Sequence, residues 1–329
     1  MGGDILKAFH FVSALASMTL ADAPVLFRRE SHLLSQFDDL LQDFIVKGGP
    51  LPPEYVVLNR AIRHLADAVR GGAISSGEVL AYVQDVTRRY LSGTMQSEAL
   101  ERKYGYSGDF EIIDHIYTRH TSADPQKRLW DLYFHSQAAP VAVRNRKAYF
   151  QQLMRDHLTS RSGAAMDVLN VACGPCRDLR EFFLDQPDAP VTVDCVDMDA
   201  RAIDYGKGLC APWLDRITYH HRNVLKHVPA RPYDLVWSAG LFDYLTDRLF
   251  VHLLRSLMKV TRPGGEVVVG NFSDFNPSRD YMEYFGHWSL RHRSRETLLA
   301  LAVEAGATQD QVQILWEPEG VNYFLHIRR

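Results

Sequence analysis

Two apolar runs at a fixed interval constrain the fold of this chain more than any other feature. The first, at 168–171, breaks into the small and turn-forming residues ACGPC at 172–176, and the second, at 193–196, ends in Asp197, 23 positions after Gly174. A strand, a tight turn, a helix and a strand that ends in a carboxylate form the layout of a nucleotide-binding half-sheet. Small residues let a ligand approach the backbone, and the carboxylate can accept hydrogen bonds from ribose hydroxyls.

The composition of the turn separates two classes of nucleotide site. A dinucleotide site needs three glycines around a pyrophosphate, but this turn has Gly174 alone, with Cys176 at the third position. The run instead resembles motif I of class I S-adenosylmethionine (SAM) methyltransferases, in which an acid precedes three alternating glycines. Asn170 stands in place of the acid, Ala172 in place of the first glycine and Cys176 in place of the last.

Further segments match the same family in chain order. The loops after the second and third predicted strands correspond to its ribose and adenine positions, and the fourth predicted strand, 233–238, comes next. A Pro-Gly-Gly turn at 263–265 then precedes a predicted fifth strand over 266–270. The resemblance assigns cofactor contacts to residues at the ends of these strands, namely Ala172, Cys173, Gly174, Asp197, Met198, Asn223, Val224 and Ser238.

The resemblance implies an α/β fold of the class I methyltransferase (Rossmann-like) type, a seven-stranded doubly wound sheet with an N-terminal helical domain. It also implies SAM as cofactor and S-adenosylhomocysteine as product. Apolar periodicity agrees with alternating helices and strands in the C-terminal half. Helices are predicted over 178–184, 200–209, 247–260 and 294–305, and a C-terminal strand pair over 311–316 and 322–327.

We expect two domains, a helical one over 1–150 and the methyltransferase domain over 151–329. In the first, Ser31 is positioned to cap a helix, a second helix covers 55–69, and Ser75 with Glu78 forms a capping box. These helices contain no concentration of chemical groups. Core packing, or contact across a homodimer, is therefore their expected role.

Residues 104–150, the last part of the helical domain, are expected to form a lid over the active site. The segment is rich in aromatic residues and glycine at its start, and Tyr117, Arg144 and Arg146 come later in it. An arginine fork suits bidentate binding of the SAM carboxylate, so these three residues are candidate cofactor contacts. A solvated helix face is the alternative interpretation of the arginines.

Charge and composition exclude several partners. The chain has 37 basic and 40 acidic residues, a net charge of −3, so it lacks the basic footprint of a nucleic-acid-binding protein. No apolar run reaches the ~18 residues of a membrane span, and residues 8–23 are predicted as a helix rather than a signal peptide. Four cysteines indicate a reducing compartment, which predicts a cytoplasmic protein. The expected partner is a small-molecule substrate.

Residues 173–176, CGPC, also match the thioredoxin active-site tetrapeptide. A strand followed by a helix N-terminus can lower a thiol pKa, which would make this a thiol-disulfide oxidoreductase. The residue before the motif is alanine rather than an aromatic, and the segments after the motif form a nucleotide-site series. Two small side chains in a tight turn are the simpler interpretation. No metal site is predicted, because Cys195 and Cys210 do not form a second close pair.

Acceptor residues are expected after the fourth and fifth strands, where the carboxyl ends of the sheet meet. Tyr244 lies in the first of these loops, and Arg279, Tyr281 and His287 come after the fifth strand. Arginines among aromatics could clamp a carboxylate in a small pocket. Packing of the aromatics into a core is at least as well supported by their helical spacing.

Three segments, 108–117, 144–146 and 276–283, resemble a bacterial subgroup that includes 3-hydroxypalmitate methyl ester synthases. Bacterial methionine S-methyltransferases are a second resemblance. Both imply methylation of a small carboxylate-bearing metabolite in secondary metabolism, at a carboxyl oxygen or a thioether sulfur. A hydroxyl or amine acceptor with His287 or His292 as base, and a SAM-binding module without catalysis, stay open as alternatives.

Overall fold

The computed structural model describes residues 26–226, 228–229 and 231–329, which form two compact units. The helical unit contains the described residues 26–108, 119–137 and 278–289, and the sheet unit contains 109–118, 138–277 and 290–329. The predicted boundary near residue 150 differs from this division. It lies inside the helix Ala138–Ser160, whose Phe150 and Met154 are buried in the core of the sheet unit.

Amphipathic helices make up the helical unit. They are α1 (Leu26–Val46), α2 (Tyr55–Arg70), α3 (Ser76–Tyr90), α4 (Met95–Glu101) and α6 (Arg128–Ser136). The predicted capping box is confirmed, because Ser75 accepts from the Glu78 amide while the Glu78 carboxylate accepts from Ser75. Ser31 lies within the described helix α1, Leu26–Val46, rather than before its first turn. The helix predicted over 8–23 lies outside the described residues.

A short segment from late in the sequence completes the helical unit. Residues Tyr281–Phe285 form a π-helical turn. The Tyr281 ring stacks on Phe285 at a centroid distance of 5.9 Å and meets Tyr133 edge-on at 5.4 Å. The Tyr281 hydroxyl donates to Gln96 at 2.6 Å. These buried aromatics explain why residues 278–289 belong to the helical unit although they come after the fifth strand in sequence.

The sheet unit is a doubly wound sheet of seven strands in the order β3-β2-β1-β4-β5-β7-β6. The strands are β1 (Met166–Val171), β2 (Val191–Asp197), β3 (Ile217–His221), β4 (Tyr233–Ser238), β5 (Thr261–Phe272), β6 (Val312–Trp316) and β7 (Asn322–Arg328). The first five are parallel, and β7 pairs antiparallel with both β5 and β6. The fold is that of class I methyltransferases, as the sequence predicted.

Helices cover both faces of this sheet. They are α5 (Phe110–Thr118), α7 (Ala138–Ser160), α8 (Arg177–Asp185), α9 (Ala200–Leu209), α10 (Asp247–Val260) and α11 (Arg295–Ala305). Every residue of β4 is buried, which is typical of a central parallel strand. The Trp237 ring stacks on Phe150 of α7 at 4.8 Å and packs against Phe324 of β7 at 5.8 Å. Each such ring contributes roughly 1.5–3 kcal/mol through its burial. Among the described residues, no helix is long and apolar enough to cross a membrane.

Candidate cofactor site at the carboxyl ends of the strands

The turn after β1 keeps a glycine-like backbone although two of its glycines are replaced. Ala172, Gly174 and Cys176 have φ angles of 52°, 54° and 56°, the left-handed region that favours glycine. These are the positions at which the sequence aligned with the three glycines of motif I. A Cβ atom at Gly174 would meet nothing within 4 Å, so the turn borders open space there. The substitutions in the motif therefore change side chains but preserve the path of the backbone.

Asp197, the last residue of β2, is held beside this turn by backbone amides. Its Oδ2 accepts from the Gly174 amide at 3.0 Å and its Oδ1 from the Asp199 amide at 2.9 Å. Burial raises the pKa of the Asp197 carboxyl, although both amide hydrogen bonds act in the opposite direction. A carboxylate fixed at two points still has lone pairs with which to accept from ribose hydroxyls.

Two further polar groups near the carboxyl ends fit an amino-acid-bearing nucleoside. The Asn170 amide nitrogen is buried and lacks a hydrogen-bond partner among the described residues, and so does Nε of Arg146. Unpaired buried donors are costly unless a ligand or water completes them. Ser238, at the end of β4, uses its hydroxyl to donate to the Val171 carbonyl at 3.1 Å, which joins β4 to β1.

Arg146 projects from α7 onto the loop after β4. A Cβ built at Gly240 would lie 2.9 Å from Nη1 of Arg146, so only glycine permits this approach. Arg146 also interacts with Tyr117 of α5, where burial raises the pKa of the phenol to about 12 and Arg146 opposes the rise. Arg144 lies two residues earlier on the same helix and is half-buried.

An ion-pair cluster that sequence reasoning did not identify joins α5 to the helices α8 and α9. The buried Asp114 carboxylate accepts from the guanidinium of Arg177, with Nη2 at 2.7 Å, and from the Tyr205 hydroxyl at 2.7 Å. Asp114 and Tyr117 lie three residues apart on α5, a spacing visible in the sequence. The two partners of Asp114, Arg177 and Tyr205, are 63 and 91 residues away along the chain, beyond the reach of any local pattern.

The other residues predicted at the ribose and adenine positions lie in the loops after β2 and β3. Met198 is 69% exposed, as expected of a residue that would cover a ligand face. Asn223 is half-buried, and its Oδ1 accepts from the Leu225 amide at 3.0 Å. Val224 is buried in the core on one face of the sheet. The structure thus places these residues at the same edge as Asp197.

The loop after β4 contains the predicted acceptor residue Tyr244 and, next to it, a buried carboxylate. Tyr244 is 42% exposed. Asp243 beside it is buried and accepts from the Phe272 amide, and burial raises its pKa to about 6 against the opposing charges of Arg146 and Arg293. Arg293 is a buried connector, because its guanidinium donates to the carbonyls of Phe242 and Leu245.

The remaining predicted acceptor residues lie in the helical unit. Arg279 is exposed and pairs with Glu283, one helical turn later, at 2.7 Å. The Tyr281 side chain is buried among aromatic rings of that unit. His287 has a φ of 47°, and burial, together with the charge of Arg102, lowers the pKa of its imidazole.

All four cysteines of the chain are free and buried. Cys173 is 6% exposed and Cys176 is fully buried. A thiol that exchanges with a substrate disulfide must be accessible and is found in a thioredoxin-type domain. The CGPC sequence is therefore part of a buried turn in a methyltransferase fold, and the oxidoreductase hypothesis is not supported.

Comparisons with known proteins agree with this geometry. Residues 168–265 match the family model described as a methyltransferase domain. No curated protein matches the sequence. Among solved structures, the chain is similar to a possible exported protein from Bordetella parapertussis, with 20% identity, a TM-score of 0.58, and coverage of 78% of this chain and 97% of that one.

Two methyltransferase structures are less similar. The SAM-dependent methyltransferase SibL in its apo form has 14% identity and a TM-score of 0.48, with 94% of this chain and 99% of that chain covered. The N-methyltransferase NodS from Bradyrhizobium japonicum, in complex with S-adenosylhomocysteine, has 16% identity and a TM-score of 0.42, with coverage of 67% and 97%. Of the three structures, the Bordetella protein supports a shared fold.

The order of the strands, the turn after β1 and the match to the family model all identify a methyltransferase domain. The strand order and the antiparallel β7 are those of class I methyltransferases, and the matched residues run from β1 into β5. Residues 168–265 form the core of a SAM-dependent methyltransferase domain, which uses SAM as cofactor and yields S-adenosylhomocysteine.

Proposed function

We propose that this enzyme methylates a small carboxylate-bearing metabolite at a thioether sulfur or a carboxyl oxygen, with SAM held chiefly by Asp197. The observation that supports the cofactor site best is the Asp197 carboxylate, anchored by the Gly174 and Asp199 amides beside open space. When bound, SAM supplies an electrophilic methyl group. The residues of the chain then need to orient donor and acceptor and exclude water.

Arg146 is the proposed partner of the SAM carboxylate. Its guanidinium lies against Gly240 in the loop after β4, and its Nε is buried without a partner among the described residues. Tyr117 of α5 interacts with this guanidinium. A planar guanidinium held in place from one side can present its other edge to a carboxylate in a bidentate contact. Arg144 is the second candidate on the same helix.

The hydrogen bonds of His292 argue against it as a general base. Its Nδ1 lies 3.2 Å from the Leu290 carbonyl, and its Nε2 lies 3.1 Å from the Asn276 amide nitrogen. A carbonyl can only accept, so Nδ1 carries the proton and Nε2 accepts from Asn276. The lone pair that a general base needs is therefore already used. Thioethers and carboxylates react as nucleophiles without a base.

Arg279 is the proposed clamp for the acceptor carboxylate. Its pair with Glu283 is exposed, with 48% of the arginine side chain accessible. Exposed pairs one turn apart on a helix contribute only about 0.3–0.5 kcal/mol, so a substrate carboxylate can replace Glu283 at little cost. Tyr281, whose hydroxyl is committed to Gln96, would support the segment rather than contact the acceptor.

The test is methyl transfer from labelled SAM to hydroxy fatty acids and to methionine-like thioethers, each compared with its analogue lacking the carboxylate. Arg279→Ala should raise the acceptor KM at least tenfold and leave SAM affinity unchanged. Arg89→Ala is the matched control, because Arg89 forms a similar exposed pair with Asp85, also one turn apart, at 2.9 Å. Equal KM values for Arg279→Ala and Arg89→Ala would refute the clamp.

A hydroxyl or amine acceptor is the second candidate, and His287 supports it. Its lowered pKa makes the imidazole neutral, and so able to take a proton, at neutral pH. The pH dependence of kcat distinguishes an acceptor that needs a base from one that does not. A flat profile from about pH 6.5 to 9 supports the base-free acceptor, whereas a single rise that His287→Ala abolishes supports the second candidate.

A further inference from the structure

We propose that Cys173, Cys176 and Cys195 form a binding site for one divalent, thiolate-preferring cation of the zinc type. The three sulfur atoms lie within 4.8 Å of one another, and Sγ of Cys176 is 3.9 Å from Sγ of Cys195. With Zn–S bonds of about 2.3 Å, tetrahedral geometry places two sulfur ligands about 3.8 Å apart. The distance between Sγ of Cys176 and Sγ of Cys195 is therefore already close to that between two ligands of a zinc ion.

The ligands come from two elements of the sheet unit. Cys173 and Cys176 lie on either side of Gly174 in the turn after β1, and Cys195 lies in β2, two residues before Asp197. One backbone hydrogen bond already joins the two elements, from the Cys173 amide to the Val196 carbonyl at 3.2 Å. A shared cation would fasten the turn to β2 two residues before the proposed ribose-binding Asp197.

The charge and size of the cluster favour a divalent cation. Three thiolates around a divalent ion leave one net negative charge, whereas a monovalent copper ion would leave two, and a buried net charge is costly. Tyr219 of β3 lies close to the cluster. A Cβ at Gly206 would lie 3.3 Å from both Sγ of Cys176 and the Tyr219 hydroxyl, so the two groups share one small space.

The fourth cysteine provides an internal control. Cys210 is equally buried, but its thiol donates to the backbone carbonyl of Cys176 at 3.5 Å. It is not part of the three-sulfur cluster. A serine at this position should therefore leave metal binding intact, while serine at Cys176 or Cys195 should remove a ligand.

The experiment uses the full chain, purified under reducing conditions and stripped of metal with a chelator. Cobalt(II) is titrated in without oxygen, and the thiolate-to-cobalt charge-transfer absorption is recorded before zinc(II) is added. We expect the absorption to saturate at one equivalent of cobalt and to disappear on addition of zinc. Each ligand thiol loses its proton on binding, so affinity should rise with pH. In Cys176→Ser and Cys195→Ser, cobalt affinity should fall at least tenfold, and Cys210→Ser should match the wild type.

Wild-type protein alone can overturn the proposal, so it does not depend on whether a variant folds. Absence of the charge-transfer absorption at tenfold excess cobalt would show that the thiols are ordinary buried side chains. Undiminished affinity in Cys195→Ser, or an equal loss in Cys210→Ser, would contradict the assigned ligands. As a second measurement, zinc should raise the Tm of the wild type in a concentration-dependent way, and Cys195→Ser should not respond.

Discussion

In the amino-terminal and middle parts of the parallel strands, four carboxylates pair with basic side chains, whereas the hydrogen bonds that hold Asp197, at the carboxyl end of β2, come from backbone amides of the described residues. The first group comprises Asp167 with Arg231 and Arg262, Asp194 with Arg231 and His220, Asp234 with Arg161 and Arg262, and Glu266 with His157 and His326. Residue type alone therefore does not decide the role of a carboxylate in this sheet. The partners that the fold supplies make one group structural and leave the other able to bind a ligand.

Helix α7 contributes to both ends of the sheet. Arg146, in its first half, lies on the loop after β4, and His157, in its last turn, contacts Glu266 at 2.9 Å. The two residues are three helical turns apart. Variants that change one end at a time can therefore separate cofactor binding from stability within the same protein.

The largest expected effect is loss of stability in Glu266→Gln. The carboxylate is buried and bonded to two histidines, so the neutral amide leaves both without their anionic partner. Breaking a buried pair from one side costs about 3–5 kcal/mol of unfolding free energy. Urea denaturation of the variant and the wild type measures this difference in unfolding free energy. A cost below about 1 kcal/mol would mean that the carboxylates with basic partners are not the stabilising group.

The isosteric substitution Asp197→Asn, at the carboxyl end of β2, should weaken cofactor binding more than it lowers stability. It removes the same charge, but an amide oxygen can still accept one of the backbone hydrogen bonds. We expect about tenfold weaker binding of S-adenosylhomocysteine, or ~1.4 kcal/mol, with less than about 1 kcal/mol lost in stability. Calorimetry and urea denaturation on the same preparation measure both. Unchanged affinity in the folded variant would remove Asp197 from the cofactor site.

Gly240→Ala should test Arg146 without altering its charge. The added methyl group would lie 2.9 Å from Nη1, so the guanidinium has to move. Because the displaced group is the end of a flexible side chain, stability should change little. Affinity for SAM should fall by threefold to tenfold, or about 1 kcal/mol. Arg146→Lys is the companion variant, and wild-type affinity in both would exclude Arg146 as the carboxylate contact.

Acidification should affect the stability contributed by Glu266. Burial alone would raise its pKa, but hydrogen bonds from His157 and His326 hold the pKa well below its usual value. A lowered folded-state pKa means that the stabilisation is fully present above about pH 5 and is lost as the pH falls towards the folded value. Between pH 7 and pH 4, the wild type should lose about 1 kcal/mol more than Glu266→Gln. The measurement is the unfolding free energy of both proteins as a function of pH. Parallel curves for the wild type and Glu266→Gln would contradict this prediction.

The smallest expected effect is a gain in stability in Ala172→Gly. The φ of 52° at Ala172 strains an alanine and suits a glycine. Relief of this strain should stabilise the protein by about 0.5–1 kcal/mol. Ala148→Gly, at an exposed position of α7, is the control and should destabilise by about 1 kcal/mol. Loss of stability in both variants would show that the turn does not need a glycine-like backbone.

Local pattern determined much of this fold. The predicted helices 200–209 and 247–260 match Ala200–Leu209 and Asp247–Val260, because each begins at a capping side chain and keeps an apolar face. The second strand ends at Asp197 as predicted. The ends of the fifth strand were not predictable. It begins at Thr261, before the Pro-Gly-Gly segment, because its pairing with β4 continues across a register shift.

Only the tertiary structure decided which polar groups meet. Spacing along the chain argued against a metal site, yet β2 brings Cys195 to the two cysteines of the turn. Residues 278–289 come after the fifth strand but join the helical unit, since their aromatic rings are buried there. Periodicity and capping act over a few residues, so the sequence reveals helices, strands and motif positions. Pairing between distant side chains depends on how those elements pack, and that packing sets the role of each carboxylate and thiol.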